Sequence, residues 1–291
     1  PNTGTCPIFR SRRDADLSLR MCRSGIPLRL QSSPTENIEI KIRRIYDLGK
    51  RQAQELCQRS SSTKIGPVMY EAKLFHAYDH RFSYYKDEED RPTQLKEKKN
   101  PQPFTGGRLE LKNREQLDKD LKDWHKNWLF CFRDIARSTD ERTMIAAILP
   151  RAATDYTIRV VFTEPDYSPL LIAQFNSFAF DYLYRTRLGG THLSDFITYQ
   201  LPGISREKFH STAEWSKETL SKWIQKRTIE LIYTAFDLEE FARDFGDSGT
   251  PFIWDNERRF LIRSELDAAF FHLYGVERDD VNYIMETFPI V

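Results

Sequence analysis

The first two thirds of the chain carry the hydrophobic patterns of strands. Ile38, Ile40 and Ile42 alternate with charged residues, which is the period of a half-buried strand. Further apolar runs of strand length are predicted at residues 68–85, 128–135, 143–149 and 157–162. A charged, proline-containing segment, residues 87–103, interrupts these runs and is predicted to be a solvated loop.

Helical spacing dominates the rest of the chain. Residues 170–186 are apolar nearly all round and rich in phenylalanine, so we predict a buried helix whose aromatic side chains lie in the core. Residues 213–245, 258–274 and 279–288 repeat apolar positions every three to four residues, with Gly246 and Gly275 as stops. Together the patterns predict an α+β fold in which a sheet-containing domain precedes a helical lobe.

Turn-forming residues divide the chain. A run of serine and threonine at residues 60–63, followed by Gly66 and Pro67, is a clear break. A second boundary is placed near residue 205, before the long helical segment. We therefore predict a connecting segment at 1–67, a sheet domain at 68–205 and a helical spacer or packing lobe at 206–291.

Charge is distributed unevenly, although the whole chain carries only +1. Residues 1–60 have a net charge of +6, and residues 211–291 have a net charge of −7. A polyanion is therefore expected on the N-terminal two thirds, because phosphate contacts dominate nucleic-acid affinity and an acidic surface repels the backbone.

Composition favours a cytoplasmic protein. Mean hydropathy is −0.61, and no apolar run approaches the roughly 18–20 residues that span a bilayer. The four cysteines form no CxxC pair, which favours reduced thiols over disulfides. The first residues have no secretion-signal pattern, and we interpret the sequence as part of a longer protein.

Catalytic motifs are weak. The strand-end motif Asn/Asp/Ser-Pro-Pro-Tyr/Phe, with which adenine methylation holds a flipped base, is absent, and residues 100–104 match it poorly. Glu71 and Lys73 have the spacing of half a metal-dependent nuclease site, but the partner acid is missing, because no Pro-Asp pair precedes them. His76 and His80 fit a structural or DNA-contacting role better than a metal site, because their aromatic neighbours predict a strand. No catalytic or metal-ligating residue is assigned.

Several long strings resemble one family. They are NTGTCPIFRSRRDADLSL at 2–19, YEAKLFHAYDHRFSY at 70–84 and GGTHLSDFITYQLP at 189–202, with further similar strings at 128–151, 229–246 and 260–276. They resemble the C-terminal region of large adenine-N6 DNA methyltransferases from bacterial type II restriction-modification and phage-defence systems. The resemblance implies that residues 1–67 are the tail of the catalytic domain and that residues 68–205 recognise a DNA target.

The resemblance also implies what lies outside this sequence. The family's cofactor-binding and catalytic motifs are missing here, so S-adenosylmethionine is expected to bind the missing methyltransferase domain and no cofactor is expected on this chain. The expected partners are double-stranded DNA and that domain. We expect Lys and Arg to contact phosphates and a few side chains to reach base edges.

The candidate DNA contacts come from three strings. They are Lys73, His76, Arg81, Arg133, Arg137, Arg142, Arg151, Arg185, Arg187, Thr191 and His192. Arginine suits guanine edges and phosphates through its planar fork, and Thr191 and His192 follow a Gly-Gly turn that a DNA backbone can approach. Two alternatives stay open: a protein-interaction or scaffold module of a defence complex, and a nuclease using Glu71 and Lys73.

Overall fold

The computed structural model describes residues 9–29, 39–60, 66–86, 91–137 and 140–288. The helices are α1 (Arg12–Arg23), α2 (Arg51–Leu56), α3 (Arg114–Asp120), α4 (Ser168–Phe175), α5 (Phe178–Arg185), α6 (Asp195–Gln200), α7 (Arg206–His210), α8 (Leu220–Ile232), α9 (Glu239–Asp244), α10 (Asn256–Leu273) and α11 (Arg278–Glu286). The strands are β1 (Ile26–Pro27), β2 (Lys41–Arg43), β3 (Cys57–Arg59), β4 (Met69–Tyr70), β5 (Ser83–Tyr84), β6 (Thr93–Gln94), β7 (Leu109–Leu111), β8 (Trp128–Arg133), β9 (Ala146–Pro150), β10 (Ala153–Thr154), β11 (Ile158–Phe162) and β12 (Pro202–Gly203). The predicted mixed α+β fold is confirmed.

A four-stranded antiparallel sheet, in the order β2-β11-β8-β9, forms the centre. Strand β8 has the sequence WLFCFR and is buried along nearly its whole length, as a continuous apolar run predicts for a strand covered on both faces. Strand β2, which the isoleucine alternation predicts, is one of the two edge strands; Ile38 lies outside the described residues. The sheet therefore joins the first 67 residues to the predicted sheet domain.

Helices α4 and α5 take the place of the one predicted helix. The chain turns at Asn176, whose side-chain amide exchanges two hydrogen bonds of 2.9 Å with the backbone of Ala146 on β9. Ser177 then caps α5 by accepting a hydrogen bond from the Phe180 amide. The break lets Phe175 stack on Phe180 at 4.8 Å between ring centroids while α4 packs against the sheet.

The N-terminal segment is built into the same core as the rest. The guanidinium groups of Arg13 and Arg20 on α1 both contact the Asp280 carboxylate on α11, and β1 pairs with β12. A single buried apolar cluster runs from Leu17 to Phe288. The predicted boundaries near 67 and 205 therefore do not coincide with breaks in packing.

Two predicted elements differ from the observed ones. Residues 68–85 contain only β4, β5 and a single 3₁₀ turn instead of long strands, because the backbone reverses at Tyr78, where φ is +57°. Residues 91–103 differ only in part: most of their side chains are exposed, as expected for the predicted loop, but residues 93–94 form β6 and the buried Lys98 ammonium contacts the Asp79 carboxylate. The remaining residues of that predicted loop, 87–90, lie outside the described ranges.

The helical C-terminal third matches its pattern more closely. Gly246 and Gly275 end α9 and α10 with positive φ values of +83° and +65°, which glycine adopts without strain. Trp215 lies before α8, partly exposed, and contacts Trp223 edge-on at 5.5 Å. In the described part of the chain, no helix has the length and apolar character needed to cross a membrane.

The aromatic cluster around Phe175 predicts a large stability effect. Phe175→Ala should lower the free energy of unfolding by about 3–5 kcal/mol, because it leaves a cavity among Phe130, Phe132 and Phe180. Phe196→Ala is the matched control, since Phe196 is 52% exposed, and it should change stability by less than about 0.5 kcal/mol. Urea denaturation measures the free energy of unfolding of both variants. An equal loss in the two would contradict the placement of Phe175 in the core.

The contact between α1 and α11 predicts a pH dependence. Burial alone would raise the pKa of Asp280, but hydrogen bonds from Arg20 and Arg13 hold that pKa below its usual value. The carboxylate therefore stabilises the fold above the unfolded-state pKa of about 3.9, and this stability is lost as the pH falls through the lower folded-state pKa. Urea denaturation at a series of pH values should show that the free energy of unfolding falls less on acidification in Asp280→Asn than in the wild type. An equal fall in both proteins would contradict this role of Asp280.

Candidate nucleic-acid interface

Arg81 is buried, and both terminal nitrogens of its guanidinium group bond to the protein backbone. Its guanidinium group donates hydrogen bonds to the carbonyl oxygens of Asn100 at 2.8 Å, Gln102 at 3.0 Å and Thr234 at 2.8 Å. It thereby joins the segment before β7 to the end of α8. The predicted DNA contact by Arg81 is therefore corrected, because a side chain in this position cannot reach a duplex.

Arg142 and Arg185 meet at one buried carboxylate. Their Nε atoms lie 2.9 and 3.1 Å from the two oxygens of Asp181 on α5. Arg185 also donates to the carbonyl oxygens of Asp140 and Glu141. Both side chains are largely buried. They hold the turn before β9 against α5, which corrects their assignment as DNA contacts.

Arg133, Arg151 and Arg187 likewise bond to backbone carbonyls. Nε of Arg133 donates to Phe75 at 3.1 Å, and burial lowers the pKa of this guanidinium group to about 10. Arg151 donates to the Trp124 carbonyl at 2.6 Å, and Arg187 donates to the Leu183 carbonyl at 2.8 Å. Arg133 and Arg151 therefore position loops, which corrects their assignment as DNA contacts. Arg187 is only half-buried, and its DNA contact stays a prediction.

Four predicted contacts are exposed on the surface, and His76 and Arg187 are half-buried. Lys73 is exposed in the 3₁₀ turn after β4, apart from the other three. Arg137, Thr191 and His192 are brought together because the chain after β8 pairs with the loop after α5. The pairing consists of a bridge between Ile135 and His192 and a 3.0 Å hydrogen bond from the Ala136 amide to the Thr191 carbonyl.

A cluster of charges underlies this pairing. The fully buried Asp134 carboxylate lies 2.9 Å from Nε of Arg159, 3.1 Å from the Arg44 guanidinium and 3.0 Å from Nδ1 of His192. Arg159 reaches a second carboxylate, Asp195, at 2.7 Å. Side chains of Arg44 and His192 are 43% and 58% exposed. The buried carboxylate therefore fixes two donors whose outer atoms face solvent.

We call Arg44, Ile135, Arg137, Thr191 and His192 the loop-end patch. Nδ1 of His192 lies 3.0 Å from the Asp134 carboxylate, a contact that requires a proton on Nδ1. The patch lies beside the turn at Gly189 and Gly190, where no atom comes within 4 Å of a Cβ added at either glycine. A ligand can therefore approach this backbone closely.

Sequence reasoning missed the centre of the patch. Asp134 binds Arg44, which follows β2, and Arg159, which lies near the start of β11. The one available signal for Arg44 was its position two residues after the predicted isoleucine alternation at 38–42. Which carboxylate Arg44 would meet depends on sheet order, which no local pattern gives.

The nuclease alternative does not fit the geometry at Glu71. Both carboxylate oxygens are occupied, because Arg108 donates to them at 2.8 and 3.0 Å and the Tyr85 hydroxyl donates at 3.0 Å. Lys73 is exposed, and His80 is buried against Asp237 at 2.9 Å, away from any joint site with His76. Among the residues that the structure describes, no group of three or more acidic, histidine or cysteine side chains is arranged to hold a metal ion.

Comparison with models of known protein families finds no match. Comparison with curated proteins also finds none. Only the residues and their geometry therefore bear on function.

The two kinds of arginine predict different mutational effects. Arg142→Ala should lower the free energy of unfolding by about 2–3 kcal/mol, because it removes charged hydrogen bonds to a buried carboxylate. Arg137→Ala, on the exposed loop-end patch, should change it by less than about 0.5 kcal/mol. Guanidinium denaturation measures both variants. An Arg142→Ala protein as stable as the wild type would contradict the structural role of Arg142.

Proposed function

We propose that this chain binds double-stranded DNA through the loop-end patch, as the target-recognition part of an adenine-N6 DNA methyltransferase. The catalytic domain and S-adenosylmethionine would lie outside this sequence. The observation that carries the proposal is the outward presentation of Arg44, Arg137 and His192 beside an open Gly-Gly turn.

The chemistry of the patch suits a duplex. Exposed guanidinium groups bind phosphates through charge-assisted hydrogen bonds, and an arginine or histidine held by a second residue can also meet a base edge. Asp134 holds Arg44 and His192 in place before binding, so less side-chain entropy is lost on forming the complex. The hydroxyl of Thr191 adds a neutral donor and acceptor at the same edge.

The charge distribution supports this location. The patch draws its residues from positions 44 to 192, within the part of the sequence that is basic or neutral. Residues 211–291, which contain α8 to α11, carry a net charge of −7. Negative charge repels a DNA backbone. The patch is therefore a more favourable docking place for DNA than the C-terminal helices.

The second candidate is a protein-interaction module. Ile253 is 84% exposed and Leu261 is 55% exposed, both in the acidic C-terminal third. Exposed apolar side chains are the usual centre of a protein contact. Affinity of such a contact would depend only weakly on salt, which distinguishes it from DNA binding.

DNA binding through the patch predicts a salt-dependent loss of affinity in a patch variant. Arg137→Ala combined with His192→Ala should weaken binding to the selected duplex about tenfold or more, and should reduce the slope of log K against log salt by about 1 for each phosphate that the variant no longer binds. Electrophoretic shift or fluorescence anisotropy at two salt concentrations measures both. Random duplexes selected on the wild type should be enriched in one short motif containing adenine.

Arg243→Ala is the matched control, because Arg243 is a half-exposed arginine on α9 in the acidic third. It should bind DNA as the wild type does. Equal affinity of the double variant and the wild type would contradict the proposal. If the chain selects no duplex but binds a partner protein with an affinity that does not change with salt, the protein-interaction module would be favoured instead.

A further inference from the structure

A cleft of about 240 Å³ lies between the turn after β4 and helix α10. Residues from both the sheet region and the C-terminal helices line it. Those that matter for a ligand are His76, Tyr78, Phe178, Phe260, Arg263 and Asp267. The proposed DNA contacts use none of these residues.

The floor of the cleft carries polar atoms that the protein leaves open. One oxygen of Asp267 accepts a 2.8 Å hydrogen bond from the Phe178 amide, and no described residue bonds to the other. The ring nitrogens of His76 likewise have no hydrogen bond to another described residue. Burial lowers the pKa of His76 to about 3, so the ring is neutral and offers one donor and one acceptor.

The walls of the cleft are aromatic. The ring of Phe178 is backed by the Arg142 guanidinium at 4.1 Å, and Phe260 on α10 is 61% exposed. Tyr78 holds a positive φ of +57° at the same wall, a strained conformation that tends to occur at binding sites. A flat ring can therefore contact aromatic side chains while its edge meets Asp267 and His76.

Size and hydrogen-bonding pattern select the ligand class. A cavity of about 150 Å³ holds benzene, so 240 Å³ accommodates a bicyclic ring. The open acceptor of Asp267 beside the neutral ring of His76 matches the adjacent donors and acceptors on a purine edge. Arg263 is exposed at the rim, where a guanidinium group can bind a phosphate.

We propose that this cleft binds a purine nucleotide, with the base between Phe178 and Phe260 and the phosphate at Arg263. The site is separate from the proposed DNA surface and does not depend on it. A free nucleotide or an unpaired purine of bound DNA offers the same base, and the experiment distinguishes these two sources.

The test is calorimetric titration of the whole chain with adenosine monophosphate, cytidine monophosphate and ribose 5-phosphate. Adenosine monophosphate should bind at least about tenfold more tightly than the other two, because base stacking contributes most of the affinity. Phe260→Ala should weaken its binding about tenfold. Leu261→Ala is the matched control, since Leu261 is the neighbouring residue and is 55% exposed, and it should bind as the wild type does.

Equal binding of ribose 5-phosphate would overturn the proposal by showing an anion site. Equal binding of the cytidine nucleotide would overturn the purine assignment, and equal weakening in Phe260→Ala and Leu261→Ala would overturn the location. If the free nucleotide does not bind, a duplex with one unpaired adenine must bind more tightly than the paired duplex in a Phe260-dependent way. If neither the free nucleotide nor the unpaired adenine binds in this way, the proposal is overturned. Binding of the paired duplex tests only the loop-end patch and does not depend on this result.

Discussion

The buried carboxylate of Asp134 is the interaction on which the arrangement of the candidate surface depends. It lies directly after β8 and receives Arg44 from the end of β2, Arg159 from β11 and His192 from the loop after α5. An unpaired buried carboxylate is costly, so the three donors must stay in place for the fold to be stable. Holding them also orients the solvent-facing atoms of Arg44 and His192, which links stability to the proposed recognition.

The same physical rule explains why several of the arginines predicted as DNA contacts are not surface ligands. Arg81, Arg133 and Arg151 donate to backbone carbonyls that no strand or helix partner satisfies. Arginine serves this purpose because its planar group reaches several acceptors at once and keeps its charge when partly buried. In a protein with many short strands and turns, many carbonyls need such donors.

The fold class and the larger elements could be predicted because they follow from local patterns. Continuous apolar runs located β8, β9 and β11, and helical spacing with glycine stops located α10. The break between α4 and α5 could not be predicted, since it depends on Asn176 bonding to Ala146, a partner 30 residues away. The candidate site was predicted only at Arg137, Thr191 and His192, because sequence shows that a residue is basic but not which carboxylate or carbonyl will bind it.

Hydrogen exchange of the chain with and without a selected duplex tests the central claim most directly, because it locates the contact on the protein without any substitution. We expect protection of backbone amides at residues 134–137 and 189–193, with little change in α8 to α11. Protection confined to the C-terminal helices, with none at residues 134–137 and 189–193, would contradict the claim that the loop-end patch contacts DNA.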